Sequence, residues 1–153
     1  MTAMTPVDRQ HLTRAIDLAV QARQAGDEPF GAVLADAAGR MLAEDRNTQN
    51  NDADPSAHAE LNLLRHLDED ARGALAGATM YASGEPCPMC AALIYQCGID
   101  RVVFAVGGAR FRELTGGDSD HLHLTCAEVM ARGERAVEVI GPAPGGEGEA
   151  VFR

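Results

Sequence analysis

Residues 78–106 read ATMYASGEPCPMCAALIYQCGIDRVVFAV. The first six form a short apolar run closed by the turn at 84–86, which predicts a strand. Pro88 then opens a helix to about Cys97, because proline is tolerated only in the first turn, and Gly98 ends it. Residues 102–106 are apolar again, and 101–106 predict the next strand.

The flanking chain continues this alternation. Residues 7–24 carry Leu12, Ile16, Ala19 and Val20 at helical spacing, and Gly26 stops them. Two strands follow, at 30–36 and 41–45, across a turn at 37–40. A polar loop ends at Asp54-Pro55, a capping pair that starts a helix over 56–70 with Leu61, Leu64 and Leu67 inward. After the central stretch come a loop at 107–120 with a helical turn at 110–114, a helix at 121–132 stopped by Gly133, and a strand at 136–140. The order predicts an α/β sandwich with a mixed five-stranded sheet, one domain spanning 1–153. The Gly-, Pro- and Glu-rich residues 145–153 read as a flexible or partner-dependent tail.

The chain has 13 basic and 23 acidic residues, a formal net charge of -10, and no Lys/Arg cluster. That argues against nucleic acid as a partner, since phosphate contacts from Lys and Arg carry most such affinity. No apolar run approaches the ~20 residues that span a bilayer. The start shows no secretory leader. Four cysteines, two in Cys87-Pro88-Met89-Cys90, fit metal binding in a reducing, cytoplasmic setting better than disulfides.

His58, Cys87 and Cys90 supply one imidazole and two thiols, the donor set of a zinc site with an open fourth position. Glu60, two residues from the histidine, is the carboxylate available for moving protons. Each segment opens a predicted helix, so orphan amides there favour anionic ligands. A structural site would add a fourth ligand, and Cys97 lies two turns beyond Cys90, too far to share one ion. Cys97 and Cys126 read as small packed residues, and His11 and His66 as surface or core residues. His121 and His123 read the same way, with a pocket role open to one of them.

The pairing H-x-E with P-C-x-x-C is the signature of zinc nucleobase deaminases. Together with Glu28-Pro29-Phe30-Gly31-Ala32-Val33-Leu34 and Asp54-Pro55-Ser56-Ala57, it resembles the cytidine and deoxycytidylate deaminase superfamily, nearest its bacterial guanine and nucleoside deaminase branch. The resemblance runs from about Leu12 to Pro142. It implies a three-layer α/β/α sandwich, a homodimer, one Zn²⁺ per subunit and hydrolysis of an exocyclic amine on a small nucleobase or nucleoside, guanine first. It also implies Glu60 as the catalytic residue, His58, Cys87 and Cys90 as ligands, and substrate contacts at Asn47, Phe30, Ala59 and Asp118. Gln96 and Gly84 depart from the guanine branch, which holds tryptophan and often cysteine there, and only Phe152 makes the tail aromatic. The alternatives are a tRNA adenosine deaminase, a cytosine or cytidine deaminase, and a non-catalytic zinc module.

Overall fold

Helix α1 (Pro6–Gln24) starts on a reciprocal cap. Thr5 Oγ1 accepts from the Asp8 amide at 3.1 Å, and Asp8 Oδ2 accepts from the Thr5 amide at 2.9 Å. The structure is a computed structural model that describes residues 3–117 and 120–153. After α1 come β1 (Gly31–Ala35), β2 (Met41–Arg46), α2 (Ala59–Arg65), α3 (Glu69–Arg72) and β3 (Thr79–Gly84). Then follow α4 (Pro88–Gln96), β4 (Arg101–Val106), α5 (Gly108–Leu114), α6 (Cys126–Met130), β5 (Glu138–Ile140) and two 3-10 turns, Pro144–Gly146 and Glu149–Phe152.

The strands form one mixed sheet in the order β2-β1-β3-β4-β5. β1 runs antiparallel to both β2 and β3, while β3, β4 and β5 are parallel. α4 is the crossover that a parallel β3–β4 pair requires. Alternation along each strand splits the core in two. Val33, Tyr81, Val103 and Ala105 face Leu12, Ala15 and Ala19 of α1. Ala32, Leu34, Met80 and Val102 face Leu63 and Leu64 of α2, Ile94 of α4 and Met130 of α6. The result is the expected three-layer α/β/α sandwich. Among the described residues no helix is long and apolar enough to cross a membrane.

α1 lies unusually close to β1. A Cβ at Gly31 would meet Ala15 O at 2.2 Å and Leu18 Cβ at 2.6 Å. Backbone, not a movable side-chain tip, fills that space. Gly31→Ala is therefore expected to destabilise by about 1–3 kcal/mol, the cost of overpacking, visible as a lower urea midpoint with unchanged slope.

Across the sheet edge, α1 is pinned by charge. Arg101 places Nη1 2.7 Å from Asp8 Oδ1 and Nη2 2.8 Å from Asp8 Oδ2, and the Tyr81 hydroxyl donates to Asp8 Oδ1 at 2.8 Å. Asp8 is only 2% exposed. Burial alone would raise its pKa, but the bonds from Arg101, Thr5 and Tyr81 overcome this and hold the carboxyl far below its ordinary value.

Four expectations shift. In α1, Val20 is 40% exposed, and Ala15, Leu18 and Ala22 complete the buried stripe instead. Asp54 does not cap a helix: its Oδ1 accepts from the Ser56 amide and hydroxyl, a side-chain turn that delays α2 until His58. Leu61 is consequently only half-buried, while Leu63 packs inward. The helix expected over 121–132 shrinks to α6. Thr125 and Glu128 form the capping box that starts it, and this motif was present in the sequence as a boundary signal. The segment 145–153, expected to be loose, packs on the domain: Val151 and Phe152 are buried, Arg23 Nη1 donates to Val151 O at 2.8 Å, and Arg9 pairs with Glu147 at 3.0 Å.

Candidate metal centre and catalytic cavity

The local sequence brings two helix starts together. His58 is the N-cap residue of α2 and Cys87 that of α4; neither side chain caps its helix, so both are available to a ligand. Cys90 follows one turn into α4 and is buried. His58 Nδ1 lies 3.5 Å from Cys87 Sγ and 3.6 Å from Cys90 Sγ. All three atoms lie within 4.8 Å of one another.

These distances test the donor set. A tetrahedral ion with Zn–S near 2.3 Å and Zn–N near 2.0–2.1 Å sets its nitrogen and sulfur ligands about 3.5 Å apart. The observed separations match, so the residues fit zinc. The thiols already behave as a pair. The Cys90 hydrogen bond, opposed by burial and helped by His58, lowers the Cys87 thiol to about 4. Cys90 moves upward, because its hydrogen bond to Cys87 and its burial keep the shared proton on it. His58 is raised by its bond to Cys87, against burial.

Glu60 sits in the first turn of α2, 5% exposed, on the same cavity. Burial is the main reason its carboxyl is pushed above the usual range, and the Cys87 charge adds to this. It can thus hold a proton at a pH where a solvated glutamate would not.

The cavity opens at the carboxyl ends of β3 and β4, where open α/β sheets place ligands. Its volume is about 750 Å³, within the range of small-molecule sites. His58, Glu60 and Cys87 line it together with Phe30, Phe111 and Glu85. Phe30 belongs to a three-ring cluster, with centroids 5.3 Å from Phe111 and 5.4 Å from Phe152, and Phe111 and Phe152 lie 5.4 Å apart.

The other expected contacts are placed differently. Asn47 is 1% exposed and does not line the cavity; its Nδ2 donates to Gln49 Oε1 at 2.6 Å and its Oδ1 accepts from the Gln49 amide at 2.9 Å. Ala59 is fully buried at the start of α2, outside the lining. Asp118 lies outside the described residues. Gln96 is exposed on the last turn of α4, away from the cavity. The Phe30 ring fills the space beside Gly84, since a Cβ there would meet Phe30 Cε1 at 2.7 Å.

Sequence reasoning missed much of the far wall. Arg110 lines it and bonds Glu149 Oε1 at 3.0 Å and Oε2 at 3.2 Å, fastening the tail to α5. Glu149 therefore lies on the cavity, whereas Glu147 is occupied with Arg9. His121 and His123 both line the cavity, with ring centroids 4.4 Å apart. No spacing rule links a residue of the last turn to one of α5; only the folded chain joins them. Cys126 is fully buried, its thiol pushed up to about 12 by burial, and is a packing residue as expected.

Comparison with known proteins agrees with this geometry. The family described as the cytidine and deoxycytidylate deaminase zinc-binding region matches residues 5–106. A probable cytosine deaminase from Schizosaccharomyces pombe is 29% identical over 92% of this chain and 87% of its own. A tRNA-specific adenosine deaminase from Haemophilus influenzae is 38% identical over 81% of this chain and 76% of its own. The crystal structure of guanine deaminase from Bacillus subtilis superposes with a TM-score of 0.63 at 35% identity, covering 72% of this chain and 69% of that one. A His/Cys/Cys cluster of zinc dimensions beside a buried glutamate, in a chain matched over most of its length by these enzymes, has one reading: the protein is a deaminase and belongs to the cytidine and deoxycytidylate deaminase family.

Proposed function

We propose that the protein hydrolyses the exocyclic amine of a small amino-heterocycle, a free nucleobase or nucleoside, with guanine and related aminopurines first. The observation that carries this is the convergence of the His58–Cys87–Cys90 cluster and buried Glu60 on one partly open, partly aromatic cavity. His58 Nδ1, Cys87 Sγ and Cys90 Sγ would hold a zinc ion, which would supply the Lewis acidity that lowers the pKa of water at the site.

The remaining work falls to the chain's own groups. Glu60 takes one proton from the attacking water and delivers it to a ring nitrogen, then takes the second from the added hydroxyl and delivers it to the amine, which departs as ammonia. Its burial suits this, because a carboxyl whose pKa is raised by burial holds an accepted proton more readily than a solvated glutamate does. Phe30 offers an aromatic face for the ring, rigidified by Phe111 and Phe152. The products balance as carbonyl compound and ammonia. Asn47 would reach a base edge only by releasing Gln49, so we assign it to shaping the loop as much as to recognition.

Among the described residues, four carboxylates, Glu60, Glu85, Glu128 and Glu149, line the cavity against two arginines, Arg110 and Arg112. This balance favours a neutral ring over a polyanion. The 38% identity to a tRNA-specific adenosine deaminase supports the second reading. Ammonia release from guanine, cytosine, adenine, cytidine and guanosine, with inosine formation in an anticodon stem-loop as a separate arm, decides between them. Silence of the zinc-loaded enzyme on every base and nucleoside overturns the first reading.

Met89, Leu122 and Leu124 are 39%, 67% and 50% exposed around the mouth of the cavity. Such a patch supports a homodimer that covers it, checked by sedimentation with Leu122→Asp expected to shift the protein to monomer. For the centre itself, Cys87→Ala is expected to lose the bound zinc, read by elemental analysis after dialysis. Two ligands do not replace three, and the orphaned pair is a buried Cys90 and a half-buried His58.

A further inference from the structure

Glu85 precedes the cysteine loop and does no work in the chemistry above. Its backbone amide closes the sheet by donating to Val106 O at 2.8 Å. Its carboxylate reaches across the cavity wall. Oε1 accepts from the Gly108 amide at 2.8 Å, and Oε2 accepts from the Cys126 amide at 2.9 Å. One side chain thus holds the first residues of α5 and of α6, elements 18 residues apart in sequence, each with a separate oxygen. α5 and the segment leading into α6 carry much of the cavity wall: Arg110, Phe111 and Arg112 on α5, His121 to Thr125 before α6, and Glu128 on it.

The packing around this link is tight. A Cβ on Gly108 would lie 3.3 Å from Glu85 Oε1 and 3.0 Å from Arg112 Nη1. The backbone of α5 therefore approaches the carboxylate as nearly as a residue without a side chain allows. Both accepted bonds involve a charged acceptor and are of the stronger kind. Glu85 stands two residues from Cys87, so the link runs from the metal-binding loop to the substrate wall with little chain between them.

We propose that Glu85 is a positioning residue: it sets the distance and register between the His58–Cys87–Cys90 centre and the wall formed by α5 and the segment leading into α6, and thereby tunes which ring is accepted. It touches neither metal nor reacting atoms. The kinetic part rests on the deaminase reading; the structural part does not.

Three variants test it. Glu85→Ala removes both acceptors. Glu85→Gln keeps one and turns an amino group towards the other amide. Gly108→Ala keeps the Glu85 side chain but crowds its Oε1 and Arg112 Nη1, so that the carboxylate must shift from the Gly108 amide. All three are expected to retain full zinc by elemental analysis. KM should rise roughly 10- to 100-fold in Glu85→Ala, the range for losing hydrogen bonds to a charged group, with kcat little changed and the preference among bases flattened. Hydrogen exchange should quicken at the Gly108 and Cys126 amides and stay slow through α4. Glu85→Gln combined with Gly108→Ala should cost less than the sum of the two, because both break the same link. Zinc lost in parallel with activity would overturn the proposal, reducing Glu85 to a support of the cysteine loop. Unchanged exchange at Gly108 and Cys126 would overturn it too. If the wild type deaminates nothing, the substrate reading fails, and the exchange experiment still judges the link.

Discussion

Glu60→Gln is expected to reduce deamination by about 10²- to 10⁴-fold, the usual worth of a positioned proton carrier, while zinc content and thermal stability stay near wild type. The glutamine is of the same size and is equally able to sit in the buried first turn of α2, so packing is preserved. What disappears is the capacity to accept a proton and give it back. The reading is kinetic: kcat falls, with KM little affected, because the lost interaction belongs to the transition state. Activity retained in Glu60→Gln would assign the proton transfers to another group, and the half-exposed centre would then need a different base.

The second large effect concerns the fold. Asp8→Ala is expected to cost about 3–5 kcal/mol, because it leaves Arg101 and the Tyr81 hydroxyl without their buried partner. The sign with pH follows from the depressed folded-state pKa of Asp8. Its stabilisation is complete above the unfolded value of about 3.9 and is lost as pH falls below it towards the folded value. Urea denaturation of wild type and variant between neutral and acid pH checks this. The wild type should lose stability below about pH 4 faster than Asp8→Ala, and the two curves should converge. Parallel curves would mean that the carboxylate contributes nothing through its charge.

The elements that read correctly from sequence carry their signal within a few residues. β4 and α4 appear within one residue of expectation, since an apolar run, a proline at the helix start and a closing glycine are local facts. The start of α2 was misread because Asp54-Pro55 has two local uses, helix cap and side-chain turn, and the Ser56 hydroxyl selects the turn. The tail was misread for a different reason. Its Gly, Pro and Glu content argues for mobility, yet Arg9, Arg23 and Arg110, from two separate helices, each hold it.

The candidate site divides the same way. The clustering of His58, Cys87 and Cys90 beside Glu60 was legible because a metal-ligand set and a nearby carboxylate require particular residue types at short, fixed spacing from helix starts. The strand–helix rhythm pointed to an α/β sandwich with a mixed five-stranded sheet, and the motifs, through the family they resemble, to three layers and to deamination. The tertiary structure decided what surrounds the His/Cys/Cys cluster: that Asn47 is turned onto Gln49, that Phe30 packs against a phenylalanine of the last turn, that Glu85 ties two walls together. Such contacts join residues distant in sequence through non-directional packing and single hydrogen bonds, which leave no periodicity to read. A reaction is written in spacing; a substrate pocket is written in which loops happen to meet.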